Sequence, residues 1–187
     1  RLGGLLYLNY NARPGWNVRG LVREFLLLQA AKLNDLRART ERAREVAARM
    51  AEELAGGEHP YSRLLASEFR FVGETDPSHT AHEYLAEYNE AYSRGQFLHL
   101  MAHFDLAYVA DADFNYVSGR LPEWLSSTLA RLNIDAGTAD QAADLMCYRQ
   151  LHSPILTQRG FTWRAPDTQE LSRLIIASSL EEREPGS

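Results

Sequence analysis

The fold is decided by the opening stretch RLGGLLYLNYNARPGW, residues 1–16. Leu5 to Leu8 form a continuous apolar run, which is typical of a strand buried on both faces of a sheet. The Asn, Pro and Gly residues of 9–15 predict an irregular, polar exit loop. No partner strand is evident in the next 60 or so residues, and buried backbone groups without partners are costly. We therefore expect this strand to belong to a larger sheet that begins before residue 1.

The rest of the chain predicts a mainly α fold, with six or seven helices and a few short strands. Asn17 is a suitable N-cap for the first helix, and Ser93 with Gln96 forms a capping-box signature, as does Thr138 with Gln141. Turn-forming residues predict a loop over 72–78. The expected helices are 18–34, 37–55, 61–70, 94–104, one that begins at Pro122, 139–151 and 167–181; the expected strands are 106–110, 155–157 and 161–163.

Composition excludes several classes of protein. The net charge is −5 and the pI is about 5.7, which argues against nucleic-acid binding because such proteins usually carry a basic patch. No apolar run approaches the length of about 18 residues that a membrane span needs, so no membrane partner is predicted. The single cysteine, Cys147, excludes an internal disulfide and is expected to be a small buried hydrophobe. We expect a cytoplasmic protein.

The sequence contains no strong motif for catalysis or cofactor binding. The chain has neither GxGxxG nor GxxxxGK[ST], so no nucleotide cradle is evident. His79, His82, His99 and His103, with Glu83, have spacings compatible with zinc. Six histidines in 187 residues produce such spacings by chance, however, and no metal site is predicted.

A regular series of tyrosines stands out in the middle of the chain. Tyr84, Tyr88 and Tyr92 recur every four residues, which would place them in one stripe if the segment were helical. Core packing is the simpler interpretation. The alternative is an aromatic wall against a ligand or partner, where tyrosine provides contact area and a hydroxyl.

Four stretches together resemble the predicted methyltransferase regulatory domain of bacterial class I S-adenosylmethionine-dependent methyltransferases. In that family, a strand near the end of the Rossmann-like catalytic domain exits through a Tyr-Asn-x-x-Pro-Gly-Trp turn. His82-Glu83-Tyr84-Leu85 resembles its His-Glu-Tyr-Leu segment. Leu151-His152 stands where the family tends to have Phe-Arg, which weakens any anion-binding role at position 152. The stretches that carry the resemblance are 5–16 with 20–24, 82–90, 96–109 and 144–152.

The resemblance implies a division of the chain into three parts. Residues 1–16 would be the last strand and exit loop of a truncated methyltransferase core, 17–181 a helical regulatory or substrate-recognition domain, and 182–187 a tail. The S-adenosylmethionine site of the parent enzyme would lie before residue 1, so this segment itself would hold no cofactor and would be inactive alone. Its implied partners are the catalytic domain in cis and a protein substrate, with a protein lysine as the implied acceptor.

The residues expected near the active-site mouth of the parent are Tyr10, Asn11, Trp16, His82, Glu83 and Tyr84. For Trp16 an alternative stays open, in which it only anchors the first helix to the sheet.

A second hypothesis remains open on the residues alone. The chain is then a stand-alone helical interaction module, in which the opening strand pairs with its counterpart in a second copy to form a homodimer.

Overall fold

The computed structural model describes residues 4–113 and 122–160 of the chain. Within these ranges the helices are α1 (Arg13–Ala30), α2 (Leu36–Ala55), α3 (Pro60–Glu74), α4 (Pro77–His79) with a π-helical turn (Thr80–Tyr84), α5 (Arg94–His103), α6 (Glu123–Arg131) and α7 (Ala136–Met146). The strands are β1 (Leu5–Tyr7), β2 (Tyr10–Ala12), β3 (Ala91–Tyr92), β4 (Leu106–Asp111), β5 (Leu151–His152) and β6 (Pro154–Gln158). The predicted mainly α fold with a few short strands is confirmed.

The main core lies between α1, α2 and α3. Each helix buries one stripe at the spacing of three and four residues that places side chains on one face. The π-helical turn adds Tyr84, and Leu85 follows it. The buried members are Val22, Leu26, Ala30, Ala43, Val46, Ala47, Ala51, Phe69, Val72, Tyr84 and Leu85.

Two small sheets lie beside this helical core. In one, β6 is central and pairs antiparallel with β1 and with β4. In the other, β2 is central, parallel to β3 and antiparallel to β5. The short segment between β5 and β6 therefore links both sheets, and β2 feeds directly into α1.

The opening strand has a partner, but one far away in sequence. Leu5, Leu6 and Tyr7 pair with Thr157, Leu156 and Ile155, and Thr157 donates a side-chain hydrogen bond to the Gly4 carbonyl. The prediction that this strand is buried on both faces is wrong for this chain, since Leu5 and Tyr7 expose 68% and 57% of their surface. β1 is an edge strand with a single neighbour among the described residues. A further neighbour on its free edge stays a prediction.

The predicted exit loop over residues 9–15 is wrong. Residues 10–12 form β2, and α1 begins at Arg13 with Ala12 as its N-cap, not Asn17. Pro14 is compatible with this because proline is well suited to the first turn of a helix. Gly15 then lies against the backbone near Arg149, to whose carbonyl its N–H donates at 2.7 Å.

Two further boundaries differ from the prediction. The helix expected to end near residue 70 continues to Glu74, because Phe69 and Val72 remain on its buried face. The tyrosine stripe does not exist: helical structure ends at Tyr84, residues 85–90 are irregular, and Tyr92 lies in β3.

The helix predicted over 139–151 is α7, and it is shifted towards the N-terminus. Asp135 caps it by accepting from the Thr138 N–H, and it ends at Met146. Tyr148 has φ of +52°, a left-handed conformation that turns the chain after a helix. Cys147 is consequently exposed, so its predicted burial is wrong.

The other expected elements have mixed outcomes. The Ser93–Gln96 capping box, strand 106–110 and strand 155–157 are confirmed. The strand at 161–163, the helix at 167–181 and the tail at 182–187 lie outside the described residues. No helix in the described ranges is long and apolar enough to cross a membrane.

Candidate functional site

The His-Glu-Tyr segment lies on the π-helical turn Thr80–Tyr84. Such turns are rare and occur often at functional sites. In this turn three consecutive side chains enter three environments: His82 is exposed, Glu83 is half-buried and Tyr84 is fully buried. The segment therefore presents one carboxylate beside a buried anchor and an exposed imidazole.

The Glu83 carboxylate is held by two asparagines. Its Oε2 accepts hydrogen bonds from Asn11 Nδ2 at 3.0 Å and from Asn89 Nδ2 at 3.3 Å. Asn11 also donates to Asn89 Oδ1, and Asn89 to the Glu83 carbonyl. The network joins β2, the π-helical turn and the segment before β3 at one point.

These residues border a cavity of about 730 Å³. We call it the acidic–aromatic cavity, because its lining combines Glu83 and Glu90 with several tyrosine, tryptophan and phenylalanine rings. Its volume is in the range of about 300–1,000 Å³ that is usual for small-molecule sites. The full lining is Asn9, Tyr10, Asn11, Trp16, Arg19, Phe71, His79, His82, Glu83, Tyr88, Asn89, Glu90, Tyr92, Gln150 and Leu151.

The floor of the cavity is rigidly packed. Tyr10 stacks on Phe97, with ring centroids 4.0 Å apart, and on His152 at 5.1 Å. Burial, and secondarily the Asp144 carboxylate, raise the pKa of Tyr10, so its hydroxyl remains protonated at neutral pH. Trp16 packs against Tyr84 at 5.8 Å. Trp16 therefore lines the cavity and also anchors α1 to the core.

The one arginine of the lining is already neutralised. Arg19 Nε lies 3.1 Å from Glu68 Oε2, and its guanidinium lies over the Phe71 ring at 4.5 Å. The Tyr148 hydroxyl donates to the other Glu68 oxygen at 3.0 Å. Burial, followed by Glu68, raises the pKa of Tyr148. The cavity therefore retains the negative charge of Glu83 and Glu90.

Tyr84 lies behind the cavity rather than in its lining. It is fully buried, and its hydroxyl has no hydrogen-bond partner among the described residues. Burial raises the pKa of Tyr84 to about 12. Tyr84 packs against Trp16, and its place near the active-site mouth of the parent stays a prediction.

His152 belongs to a buried charge cluster. Its Nδ1 lies 3.2 Å from Asp111 Oδ2 and its Nε2 lies 2.9 Å from Asp144 Oδ2. All three side chains are 2% exposed. Both ring nitrogens of His152 are therefore occupied by carboxylates.

No metal centre forms among residues 4–113 and 122–160, where no group of three or more His, Cys, Asp or Glu side chains is placed to hold an ion. His99 and His103 contact each other on α5, whereas His79 packs on Phe71 and Tyr84.

A larger groove of about 1150 Å³ runs beside α2 and shares His82 with the acidic–aromatic cavity. Its lining combines apolar side chains such as Leu36 and Leu85 with charged ones such as Arg37 and Glu41. The part of the chain that the structure describes places no hydrogen-bond network there comparable to that around Glu83.

The structure brings five of the six sequence-predicted residues to one cavity: Tyr10, Asn11, Trp16, His82 and Glu83. Sequence reasoning missed Arg19, Phe71 and Gln150. Arg19 and Phe71 lie on helices α1 and α3, where the local pattern suggests only packing. Their contribution depends on how the helices cross, which no local motif encodes.

Residues 76–158 match the family described as the predicted methyltransferase regulatory domain. Over these residues the chain is similar to that family, and the resemblance drawn from its sequence is confirmed.

Among solved structures, it is similar to PKMT2 from Rickettsia typhi, with 26% identity and a TM-score of 0.69, over 87% of this chain and 30% of that one. For the same protein in complex with AdoHcy the TM-score is 0.71, at 26% identity, over 87% and 31%.

Two proteins of Rickettsia prowazekii (strain Madrid E) are also similar. The uncharacterized protein RP789 is 23% identical over 154 residues, which is 82% of this chain and 28% of RP789. The uncharacterized protein RP028 is 25% identical over 95 residues, 51% of this chain and 38% of RP028. The chain spans less than two fifths of the length of each of these relatives.

Proposed function

We propose that the chain is the substrate-recognition part of an S-adenosylmethionine-dependent methyltransferase, and that the acidic–aromatic cavity receives the acceptor side chain of a protein substrate. The observation that carries this proposal is the convergence of Asn11, Glu83 and Asn89 at one polar point within aromatic walls. Similarity to PKMT2 from Rickettsia typhi supports the parent class.

The contribution of this chain would be orientation and exclusion of water. Trp16 and Tyr10 are fixed by packing and present rigid walls. Glu83 is fixed by the two amides. Holding an acceptor in one geometry lowers the entropic part of the barrier to transfer.

The methyl-donor site would lie in another part of the parent protein. The sequence has no glycine-rich loop between a strand and a helix, the feature that usually binds dinucleotides or related cofactors. Calorimetric titration of the chain with S-adenosylmethionine tests this: we expect no heat of binding at micromolar concentrations. Micromolar affinity would contradict the proposal.

Substitution of Glu83 in the full-length parent tests the cavity itself. We expect Glu83→Ala to reduce methylation of the protein substrate by at least about tenfold, since a hydrogen bond to a charged group contributes about 1.5–3 kcal/mol. Glu87→Ala is the matched control, because Glu87 is exposed and does not line the cavity. Equal activity of the two folded variants would exclude a role for the cavity in substrate recognition.

The exposed strand β1 favours a second candidate, a homodimeric interaction module. Leu5 and Tyr7 are exposed beside an edge with no described partner. Light scattering of the chain distinguishes the two, because a monomer at all concentrations would exclude the dimer.

A further inference from the structure

We propose that Asn11 and Asn89 make the acidic–aromatic cavity selective for an alkylammonium group over a guanidinium group. The inference rests on the proposed function, since it concerns the side chain that the same cavity would receive. It assigns a specificity-determining role to two residues that touch the carboxylate rather than the ligand.

The two oxygens of Glu83 differ in availability. Oε2 already accepts from both asparagine amides, at 3.0 and 3.3 Å. An ionised carboxylate only accepts hydrogen bonds, so both amide nitrogens must face it and their orientation is fixed. Oε1 accepts no hydrogen bond among the described residues; it faces His82 Nε2 at 3.8 Å, which is too long for one.

Because only Oε1 of Glu83 is available, the carboxylate suits an ammonium group better than a guanidinium group. Guanidinium pairs best with a carboxylate through two parallel N–H donors, which need both oxygens. An ammonium group is a compact charge that can donate to one oxygen. With Oε2 saturated, a guanidinium group loses its second contact, whereas an ammonium group loses nothing.

The surrounding charges also favour a cation, and the Arg19 guanidinium does not compete for Oε1. Arg19 is paired with Glu68. Glu90 accepts from the Tyr92 hydroxyl at 2.7 Å and adds negative charge to the wall. Trp16 and Tyr88 supply aromatic faces, which attract cations.

Titration of the full 187-residue chain, followed by nuclear magnetic resonance, tests the selectivity. The probes are the N-acetyl methylamides of lysine, arginine and norleucine, which differ only in the end of the side chain. We expect saturable shifts of Trp16 and Asn89 signals with the lysine probe. We expect at least roughly tenfold weaker binding of the arginine probe, the scale of one lost charge-assisted hydrogen bond. The uncharged norleucine probe is expected not to saturate.

Variants then separate the roles of the three residues. Asn11→Ala frees a position on Oε2, so we expect the arginine probe to approach the lysine probe in affinity. Asn89→Ala is the second variant, in case Asn11→Ala fails to fold. Glu83→Gln should lose binding of both cations, and Glu87→Gln, which removes an exposed charge outside the cavity, should leave both unchanged.

The inference would be overturned if the arginine or the norleucine probe bound as tightly as the lysine probe. It would also be overturned if no probe bound at about 50 mM, well above the millimolar range of a weak site. The same holds if the folded asparagine variants kept the wild-type ratio of lysine-probe to arginine-probe affinity. None of these depends on the methyl donor. Loss of methylation in Glu83→Ala of the parent, together with equal binding of the probes, would refute the selectivity and leave the proposed function intact.

Discussion

At the scale of single residues, the greatest sensitivity is expected where charges are buried in pairs. Glu68 and Arg19 expose only 5% and 8% of their surface, and the Tyr148 hydroxyl completes the hydrogen bonding of the carboxylate. Removing one member of a buried pair leaves the other charge without compensation.

We predict that Glu68→Gln lowers the free energy of unfolding by about 3 kcal/mol, because the Arg19 guanidinium remains buried. Urea denaturation monitored by circular dichroism measures the change. Glu41→Gln is the control, since the Glu41–Arg37 pair is exposed and exposed pairs contribute little. A loss for Glu68→Gln no larger than that of the control would contradict the prediction.

Tyr84 allows a second prediction at this scale, because its buried hydroxyl has no partner among the described residues. We expect Tyr84→Phe to be neutral or slightly stabilising at pH 7, since no hydrogen bond is lost. A loss of more than about 1 kcal/mol, the usual value of a hydrogen bond, would mean that the hydroxyl has a partner.

The same tyrosine makes stability depend on alkaline pH. Its pKa is raised from 10.0 to about 12, so above pH 10 the unfolded state loses the proton that the folded state keeps. Stability is therefore fully present below pH 10 and falls towards pH 12, by on the order of 2–3 kcal/mol from this residue. Urea denaturation between pH 9 and 12 should show that the free energy of unfolding falls less steeply in Tyr84→Phe than in the wild-type protein. The decline that remains in the variant is expected from other buried tyrosines such as Tyr10 and Tyr148.

At the scale of elements, the start of α1 depends on a close approach that only glycine permits. A Cβ on Gly15 would lie 2.8 Å from the Arg149 carbonyl oxygen and 2.9 Å from Gln150 Cα. These are backbone atoms, so the segment leading to β5 would have to move away from α1.

We predict that Gly15→Ala destabilises the protein by about 1–3 kcal/mol, as overpacking does, and shifts the cavity residues Gln150 and Leu151. Gly20→Ala in the same helix is the matched control: nothing lies within 4 Å of its added Cβ, so a gain of about 0.5–1 kcal/mol is expected. Thermal unfolding of the two variants measures both effects. If both variants are destabilised alike, the close contact of Gly15 with the backbone at 149–150 is not the cause.

The sequence predicts long elements well and their junctions poorly. The α2 pattern, with its polar outer face and a terminal Gly56, locates that helix to within a residue or two. The tyrosine series at 84, 88 and 92 fails because spacing alone cannot distinguish a helix from an irregular segment followed by a strand. The loop predicted over 9–15 fails for a related reason: its Pro and Gly are also compatible with a first helical turn and a close approach to another segment.

The candidate site is likewise only partly predictable from the sequence. Resemblance to a family identifies Tyr10, Asn11 and Glu83 from motifs about 70 residues apart, and the structure brings them to one cavity. Arg19 and Phe71 reach the cavity only because α1 and α3 pack together, and the neutralisation of Arg19 by Glu68 depends on that packing. Motifs thus locate polar groups, whereas the charge balance of the site requires the fold.

At the scale of the whole molecule, burial is uneven. Among residues 4–113 and 122–160, the cluster formed by α1, α2, α3 and the π-helical turn contains eleven buried hydrophobic residues. Within the same ranges, the cluster between α6 and α7 contains three, Leu125, Leu129 and Ala143. The α6–α7 pair also exposes large apolar side chains, including Trp124 at 59% and Met146 at 60%. Its packing against itself is therefore thinner than that of the main core.

We predict that residues 123–146 open independently of the main core, since local stability follows the amount of buried apolar surface. Hydrogen exchange measured by mass spectrometry should show faster exchange there than in α1–α3.

Two matched substitutions test the independence of the two clusters. Leu125 and Leu26 are 1% and 0% exposed, so each change to alanine costs about 2–5 kcal/mol where the site is packed. Leu125→Ala should accelerate exchange only in 123–146, whereas Leu26→Ala should accelerate it in the slowest-exchanging amides of α1–α3 and lower the midpoint of global unfolding. If Leu125→Ala accelerates exchange equally in α1–α3, the two clusters unfold as one cooperative unit. In that case a ligand bound in the acidic–aromatic cavity would slow hydrogen exchange in α6 and α7 as well as in the main core.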